Sequence, residues 1–342
     1  MSKLIHLDET RFDGLRVSVI SPMYNEGQKI RENLIRLFDV FKALPYPCEL
    51  VLINDGSTDN SLEEADGLLS AYDDFKIVTY SSNRGRGFAI RQGMRHATGN
   101  VLVVTESDLS WGTDIIERMV SVLVRNHLDV VVASPHAEGG KLENVPFSRT
   151  FYTKVGNWIL GRLMPVELTM YTGMTRAYRR EVLENLDLES DGKELHLEII
   201  SKLSALACRI GEIPAVLAWE PSRKKRKSGF DAKRYILSHL TFGVGESPLL
   251  VLALASLFFV FLGGICGFYL LYLSVSGTPV AGRPLIQFSM LSIIFGLLLL
   301  MFGFLAQQIK QIQRQLYRLQ NKSKMKRIPI EEMEGESDEE KI

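Results

Sequence analysis

Residues 17–26 read Val-Ser-Val-Ile-Ser-Pro-Met-Tyr-Asn-Glu, and this stretch indicates the fold. The apolar run from Val17 to Ser21 is typical of a short buried β-strand, and the polar turn from Pro22 to Glu26 follows it directly. The same order returns at 49–59, where Glu-Leu-Val-Leu-Ile-Asn leads into Asp-Gly-Ser-Thr-Asp. The chain therefore begins with strands that end in polar loops.

Helical and strand-like segments alternate along the following residues. Further strands are predicted at 75–80, 101–105 and 129–133, and helices at 28–41, 59–71, 87–97 and 113–125. This alternation predicts an α/β fold with a mostly parallel sheet and helices on both faces. In such sheets ligands bind beyond the carboxyl ends of the strands, so polar residues should follow each strand.

Four polar clusters do follow four successive predicted strands. They are Pro22–Glu26, Asn54–Asp59, Asn83–Gly87 and Glu106–Asp108. Each cluster alone has a structural explanation as a turn, a helix cap, a flexible loop or a solvated helix entry. Their repetition at four strand ends favours a common binding site.

The composition is balanced in charge and uneven in hydropathy. The 342 residues include 40 basic and 40 acidic side chains, so net charge indicates no partner, and no nucleic-acid partner is expected. The three cysteines match no metal-ligand spacing. Leu249–Leu273 and Phe288–Ala306 carry no charge and are apolar on all sides, which predicts two transmembrane helices.

Basic residues flank both apolar segments. Five lie between Arg223 and Lys227 and seven between Lys310 and Arg327, whereas the connecting loop carries only Arg283. The positive-inside rule places both flanks in the cytoplasm and the short loop outside. Since residues 1–16 resemble no secretory signal, the N-terminal domain and both termini are expected in the cytoplasm.

The ordered set of four clusters resembles family 2 glycosyltransferases of the Rossmann-like GT-A fold. Over about residues 15–240 it more closely resembles the dolichyl- and polyprenyl-phosphate sugar synthases, the group that contains dolichyl-phosphate mannose synthase. The resemblance implies a hexosyltransferase that moves a sugar from a UDP- or GDP-linked donor to a polyprenyl or dolichyl phosphate. Inversion at the sugar, Mg²⁺ or Mn²⁺ as cofactor, and a site at the cytoplasmic membrane face are expected with it.

The acids after the fourth strand are the predicted metal site. Glu106 and Asp108 lie two residues apart on one face of an extended chain, which suits a hard divalent ion that bridges the donor diphosphate. Glu106 stands where the resembled family usually has Asp, and Ser110 stands where it often has Gln. Glu106 and Asp108 are therefore predicted to be catalytic, with Ser110 as a third metal ligand.

The resemblance also implies a nucleotide pocket formed by the first three clusters. Asp55 is expected to contact the base or ribose, because a carboxylate accepts hydrogen bonds from ribose hydroxyls or a ring N–H. The other residues expected in this pocket are Pro22, Tyr24, Glu26, Asn83 and Arg86.

The acceptor phosphate is assigned by the resemblance to the second half of the chain. Phe147–Arg149 is expected to precede a helix, and Tyr171–Arg180 resembles the stretch that holds the lipid phosphate. The residues implied are Arg149, Thr172, Arg176, and one of Arg223 and Arg226, with Arg176 also predicted to be catalytic. Arginine suits this role because its planar fork forms bidentate bonds to phosphate.

A phosphate acceptor also fits the absence of a predicted general base. Gly192–Glu198 lacks the acid pair typical of polysaccharide synthases, and no Trp follows an Arg as in their Gln-x-x-Arg-Trp motif. A phosphate monoester has a second pKa of about 6 and is already ionised at neutral pH, so it needs no base.

The predicted organisation has four parts. They are a cytosolic catalytic domain at 1–222, a basic interfacial segment at 223–247, two transmembrane helices within 248–307 (249–273 and 287–307), and a basic helix with an acidic tail at 308–342. The basic cluster is interpreted as a contact with anionic lipid headgroups. Two alternatives stay open: a different lipid or polysaccharide acceptor, and a non-catalytic membrane scaffold. Homo-oligomerisation is left open as well.

Overall fold

The computed structural model describes residues 12, 14–27, 29–164, 166–219 and 247–322. Its first half alternates strands and helices, as predicted, with bounds that differ by a few residues. The elements are β1 (Val17–Met23), α1 (Lys29–Ala43), β2 (Cys48–Asp55), α2 (Ser61–Asp66), β3 (Phe75–Tyr80), α3 (Arg86–His96), β4 (Val101–Val104), α4 (Ile115–Arg125) and β5 (Val130–Ser134). The helix predicted at 59–71 is shorter, because only residues 61–66 are α-helical and a 3₁₀ turn follows at Leu69–Ala71.

The second half is less regular. Its elements are β6 (Lys141–Glu143), α5 (Phe147–Leu163), β7 (Arg176–Arg179), α6 (Arg180–Glu184), α7 (Leu195–Ala205), β8 (Ile210–Pro214), β9 (Val216–Ala218), α8 (Pro248–Val275) and α9 (Pro284–Lys322). One feature differs from the prediction: Phe147–Arg149 forms the first turn of α5 instead of preceding a helix. The stretch Tyr171–Arg180, for which no element was predicted, contains the strand β7.

The main sheet has seven strands in the order β3-β2-β1-β4-β7-β5-β8. Only β7 runs antiparallel to its neighbours, β4 and β5, so the prediction of a mostly parallel sheet is confirmed. The parallel register places Met23 beside Asn54 and Asp55 beside Tyr80, so the carboxyl ends of β1, β2 and β3 meet at one edge. A small second sheet pairs β6 with β9.

The inner strands β1, β2, β4 and β5 are buried on both faces, which is why most of their residues are apolar. Alternate residues of β2 point to opposite sides of the sheet: Leu50 and Leu52 belong to one hydrophobic cluster, and Val51 and Ile53 to the other. The amphipathic helix α4 buries Ile116 and Met119 in the first cluster, while α3 buries Ile90 in the second. Two helical layers therefore hold the sheet rigid beneath its edge loops.

The two C-terminal helices are long and apolar enough to cross a membrane. They pack against each other through small residues, and the Ser289 hydroxyl donates to the Gly263 carbonyl at 2.7 Å. Helix α9 continues without a break past the predicted boundary at residue 307 to Lys322, a length of about 58 Å at 1.5 Å per residue. Its far end contacts the globular part, where the Arg318 guanidinium donates to the Ala205 carbonyl at the end of α7.

Candidate active site

The loops after β1 and β2 are interlocked at the carboxyl edge of the sheet. The Asn25 N–H donates to the Ser57 hydroxyl at 3.0 Å, and the Thr58 N–H donates to the Asn25 side chain at 2.8 Å. The Glu26 N–H donates to the Ser61 hydroxyl at 2.7 Å. These bonds fix the turn that carries the predicted residues Pro22, Tyr24 and Glu26, and the Tyr24 side chain lies exposed on its rim.

Asp55 holds the loop after β3. Its carboxylate accepts bonds from the Tyr80 hydroxyl at 2.8 Å, the Arg84 N–H at 2.8 Å and the Gly85 N–H at 3.1 Å. Burial and the hydrogen bond to Asp55 raise the pKa of Tyr80. Asp55 is only 4% exposed, and its three hydrogen bonds hold the loop after β3. This loop contains the predicted residue Asn83, which is exposed.

A segment that the sequence did not indicate closes this loop from the other side. Residues 188–192 pack against it: the Phe88 N–H donates to the Asp191 carbonyl at 3.1 Å, and Arg91 forms an ion pair with Asp191. A Cβ on Gly87 would stand 2.6 Å from the Gly192 carbonyl oxygen, so this approach requires glycine. This contact joins segments about a hundred residues apart, so no pattern of neighbouring residues in the sequence indicates it.

Glu198 anchors the same segment. Its carboxylate accepts the N–H groups of Glu189 and Ser190 at 3.0 and 2.9 Å and pairs with Lys202 at 2.6 Å. Burial raises the pKa of Glu198, but the hydrogen bonds from Lys202, Ser190 and Glu189 outweigh burial and lower it overall. The region Gly192–Glu198, for which no general base was predicted, therefore contains a carboxylate that supports a loop. His196, in the same region, is also buried.

The acid cluster, defined as Glu106, Asp108 and Ser110, lies just beyond β4. The Ser110 hydroxyl and the Trp111 indole N–H donate to Glu106 at 3.0 and 3.3 Å, and the Ser110 N–H donates to Asp108 at 3.0 Å. Arg86, predicted to contact the nucleotide, lies at the start of α3 with its guanidinium 3.7 Å from Glu106. The structure thus brings the third and fourth polar clusters together.

The donor atoms of the acid cluster suit a hard divalent cation, because two carboxylates and a hydroxyl are oxygen ligands of the kind that Mg²⁺ and Mn²⁺ prefer. Within the described ranges, no three His, Cys, Asp or Glu side chains gather as a metal site. A cation held here would therefore take its other ligands from water or from the phosphates of a bound ligand.

Arg176 requires a correction. It is the first residue of β7 and is completely buried at 0% exposure, and its guanidinium donates to the carbonyls of His196 and Tyr171. Because a central strand aims this side chain into the core between β7 and α7, it does not reach a ligand at the surface. The predicted contact of Arg176 with the acceptor phosphate, and its catalytic role, are not supported by this geometry.

The other residues predicted for the acceptor belong to separate segments of the chain. Thr172 lies partly exposed in the loop before β7, and Arg149 belongs to the first turn of α5. Arg223 and Arg226 lie outside the described residues. The chain enters their segment beside the acid cluster, since the Ala218 N–H donates to the Ser110 carbonyl at 2.8 Å.

A cavity of about 630 Å³, here named the α5 cavity, lies beside this site. It is bounded by the end of β5, by β6 and by α5, and it was not predicted. Its lining includes His136, Thr150, Lys154, Asn157, Trp158 and Thr169. Burial and the nearby Lys154 ammonium lower the pKa of His136, and the Glu212 carboxylate opposes this shift in part.

The mostly parallel sheet, with interlocked strand-end loops and an acid pair beyond β4, has the arrangement predicted for a GT-A fold. Residues 18–187 match the family model "Glycosyl transferase family 2", and this part of the chain is a family 2 glycosyltransferase domain. The predicted family and fold are thereby confirmed.

Named relatives share this domain. The chain is 29% identical over 228 residues to a dolichol-phosphate mannosyltransferase of Pyrococcus furiosus, a match that covers 65% of this chain. It covers 63% of that relative, less than two thirds of its length. An undecaprenyl-phosphate 4-deoxy-4-formamido-L-arabinose transferase of Shewanella sediminis is 27% identical over 257 residues, which cover 75% of this chain and 73% of the relative.

A solved structure supports the fold. Glucosyl-3-phosphoglycerate synthase of Mycobacterium tuberculosis, solved with Mn²⁺, uridine diphosphate and phosphoglyceric acid, superposes with a TM-score of 0.53. The superposition covers 69% of this chain and 80% of that one at 17% identity, so it shows a shared fold.

Proposed function

We propose that the protein transfers a sugar from a nucleoside diphosphate sugar, UDP- or GDP-linked, to a polyprenyl or dolichyl phosphate at a membrane surface. The observation that carries this proposal is the acid cluster at the carboxyl end of β4. Glu106 and Asp108 lie among three interlocked loops of a family 2 domain and beside the chain that leads to the apolar helices. Both named relatives carry a polyprenyl-type phosphate in their names, which supports the acceptor class.

The strand-end loops bind the donor nucleotide in this proposal. Pro22, Tyr24 and Glu26 form one wall, and Asn83 with the loop that Asp55 holds forms the other. Asp55 still has acceptor capacity beyond its three protein bonds, because an ionised carboxylate offers about four lone-pair positions. It thus shapes the pocket and contacts the ribose or base.

Glu106, Asp108 and Ser110 hold the diphosphate end of the donor through a divalent cation, Mg²⁺ or Mn²⁺. When bound, the cation neutralises the charge that develops on the departing diphosphate. Arg86 adds a second positive charge on the same side, because its guanidinium already lies 3.7 Å from Glu106. These groups act on the leaving group, where negative charge increases in the transition state.

The nucleophile of the proposed reaction, the acceptor phosphate, needs no general base from the protein. An oxygen of the acceptor phosphate attacks the anomeric carbon and forms a new carbon–oxygen bond. The bond from that carbon to the diphosphate breaks, and the nucleoside diphosphate leaves with the electron pair. Attack opposite to the leaving group inverts the anomeric centre, and no proton has to be removed because the phosphate is ionised near pH 7.

The apolar helices α8 and α9 place this site at the bilayer. Basic residues flank both helices and only Arg283 lies in the loop between them, which supports a cytoplasmic catalytic domain. Ser247, directly before α8, donates its hydroxyl to the Leu163 carbonyl at 2.6 Å, so the membrane segment begins beside the end of α5. A long prenyl chain in the bilayer then has its phosphate close to the site.

A direct test uses membranes that contain the full chain. They are incubated with a panel of labelled UDP- and GDP-sugars and a polyprenyl phosphate, and the lipid extract is separated by chromatography. We expect a labelled glycolipid with one donor, together with release of the matching nucleoside diphosphate.

Matched variants make the test specific to the acid cluster. Asp108→Ala should lower glycolipid formation about 10²–10³-fold, whereas Asp114→Ala, which removes an exposed carboxylate that pairs with Arg118 of α4, should leave transfer unchanged. Absence of any glycolipid across the whole donor panel would overturn the proposed function.

A further inference from the structure

Helix α9 changes from an apolar to a polar helix without a break. The residues before Gln307 form the uncharged span, whereas Gln307–Lys322 contains four basic residues and six glutamines. The polar part, here named the α9 extension, is sixteen residues long and projects about 24 Å beyond the span. Because it continues the same helix, it leads away from the bilayer into water instead of lying on the membrane surface.

Apolar side chains repeat along the α9 extension with the spacing of a coiled coil. Ile309, Ile312, Leu316 and Leu319 follow each other at intervals of three, four and three residues, which is the a/d pattern of a heptad. Each of them is more than half exposed, from 53% at Leu316 to 68% at Leu319. These four side chains, here named the α9 stripe, form a contiguous apolar row in water, and such a row indicates an interaction surface.

The α9 stripe lies on the opposite side of the helix from the contact with the catalytic domain. Tyr317 packs against the hydrophobic cluster that contains Leu203 of α7, and Arg318 donates to the Ala205 carbonyl. Lys310 and Arg314 are only partly exposed, as Tyr317 is, and at about 100° per residue these three side chains lie roughly opposite to the stripe. The contact with the catalytic domain therefore leaves the stripe open to a partner.

The positions that flank the stripe are uncharged. These positions, e and g of the heptad, are occupied by Gln308, Gln313, Gln315 and Gln320. In a parallel pair of identical helices the g residues face the e residues of the partner, so a single kind of charge there would repel. Amide side chains donate and accept hydrogen bonds, and thus pair with their own kind. Since Lys310, Arg314 and Arg318 lie outside these positions, the surface suits a second copy of itself.

The span gives two copies the orientation that this pairing needs. Copies inserted in the same direction present their α9 extensions side by side and in parallel. The heptad spacing also continues back into the span at Leu305 and Phe302, which are 48% and 56% exposed. A helix of sixteen residues pairs weakly when it is free in solution, but confinement to one membrane raises its effective concentration.

We propose that the α9 stripe binds the α9 stripe of a second copy of this chain and forms a parallel coiled coil outside the membrane. The side chains in its seam are Ile309, Ile312, Leu316 and Leu319. This inference goes beyond the proposed function and does not rest on transferase activity. It uses only the insertion of α8 and α9 into one membrane in one orientation.

The first test is crosslinking of the full chain in membranes through a cysteine in the seam. Ile312→Cys should give a covalent dimer with a short thiol-specific crosslinker, because the two d positions of a parallel pair face each other. Gln311→Cys is the matched control: it alters the adjacent exposed residue, which points away from the seam, and it should give no more dimer than the wild type with its three native cysteines.

The second test uses charge in the seam, and single-molecule photobleaching in liposomes at a range of protein densities measures the fraction of dimer. Ile312→Glu and Ile312→Lys should each weaken association about 10-fold or more, because identical charges then meet in the seam. A mixture of the two variants should restore pairing between unlike copies. Damage to the fold would not be repaired by mixing, so this rescue is specific to a direct contact.

The inference is overturned if the wild type remains monomeric at every density, or if both charge variants associate like the wild type. It is equally overturned if mass spectrometry of the Ile312→Cys crosslink identifies another segment of the same chain, or a different protein, as the partner. Failure of the proposed function leaves these results unchanged, because a chain that makes no glycolipid would still form the crosslinked dimer.

Discussion

The strand-end loops and the α5 cavity share one edge of the sheet but differ in how their polar groups are satisfied. In the loops after β1, β2 and β3, side chains and backbone N–H groups bond to one another, as Asn25 does with Thr58 and Asp55 with Gly85. In the α5 cavity, Asn157 Nδ2 and His136 Nε2 lack partners within the described residues. The strand-end loops are therefore held by their own hydrogen bonds, whereas the α5 cavity keeps two buried polar atoms without partners among the described residues.

This difference has a consequence for ligand binding. Loops that are ordered in advance lose little conformational entropy when a ligand binds, whereas buried polar atoms without protein partners gain hydrogen bonds from a ligand. The following predictions test whether the two regions behave differently.

The largest effect is expected at the acid cluster. Asp108→Ala should lower kcat about 10²–10³-fold, because stabilisation of charge on the leaving group is lost where it develops. The measurement is transfer rate with saturating donor and acceptor, compared with Asp114→Ala at the exposed start of α4. Near-normal transfer in Asp108→Ala would contradict the role of this cluster.

A smaller effect is expected where Asp55 holds its loop. Asp55→Ala removes an acceptor of three hydrogen bonds and should raise the donor KM about 10-fold or more, since the loop must be ordered on binding. The acceptor KM should remain unchanged. Tyr80→Phe removes only one of these bonds and should change the donor KM by no more than a few-fold. Equal effects on both KM values would break the distinction between the two regions.

The next prediction concerns the packing of the two apolar helices α8 and α9 against each other. A Cβ on Gly263 would stand 2.7 Å from the Ile293 side chain and 2.8 Å from the Ser289 carbonyl, whereas Gly264 has nothing within 4 Å. Gly263→Leu should therefore destabilise the pair α8–α9 by about 1–3 kcal/mol, and Gly264→Leu should not. Thermal unfolding in detergent measures this difference, and similar melting temperatures would contradict the packing of these helices.

The smallest effect on catalysis is expected at Glu49, a buried acid at the beginning of β2. Burial raises the pKa of Glu49, but hydrogen bonds from Lys76, Ser18 and Thr98 outweigh burial and lower it to about 2. Because the folded-state pKa lies below the ordinary value of 4.5, its stabilisation is complete above about pH 4.5 and is lost as pH falls towards 2.

Glu49→Gln should accordingly lower the free energy of unfolding at pH 7 by about 1–3 kcal/mol, and this difference should shrink as pH falls from 4.5 to 2. Denaturant titration at several pH values measures it. The kcat of the folded variant should match the wild type, because Glu49 lies at the opposite end of its strand from the active-site loops. A difference that grows towards low pH would contradict the sign of the shift.

Local sequence patterns were sufficient for the first half of the fold. Strands such as β1 and β2 have short apolar runs, and the polar loops follow them directly, so both could be predicted from adjacent residues. The same holds for α8, which is apolar on every side. The metal, nucleotide and phosphate roles of single residues stay predictions.

The second half depended on contacts that a linear pattern does not record. Arg176 looked like a phosphate ligand, but the pairing of β7 between β4 and β5 turns its side chain into the core. The segment 188–192 closes on Gly87 from about a hundred residues away. Similarly, the basic end of α9 looked like a separate helix, yet no residue breaks the helix before Lys322.

The sequence alone determined which residues of the first half are strands, which loops there are polar and which helices are apolar enough for a membrane, because these properties depend on neighbours along the chain. Only the tertiary structure decided that Arg176 is buried, that Asp55 supports a loop, and that Lys154, Asn157 and His136 line one cavity. The physical reason is that burial and the satisfaction of hydrogen bonds depend on which distant segments pack together.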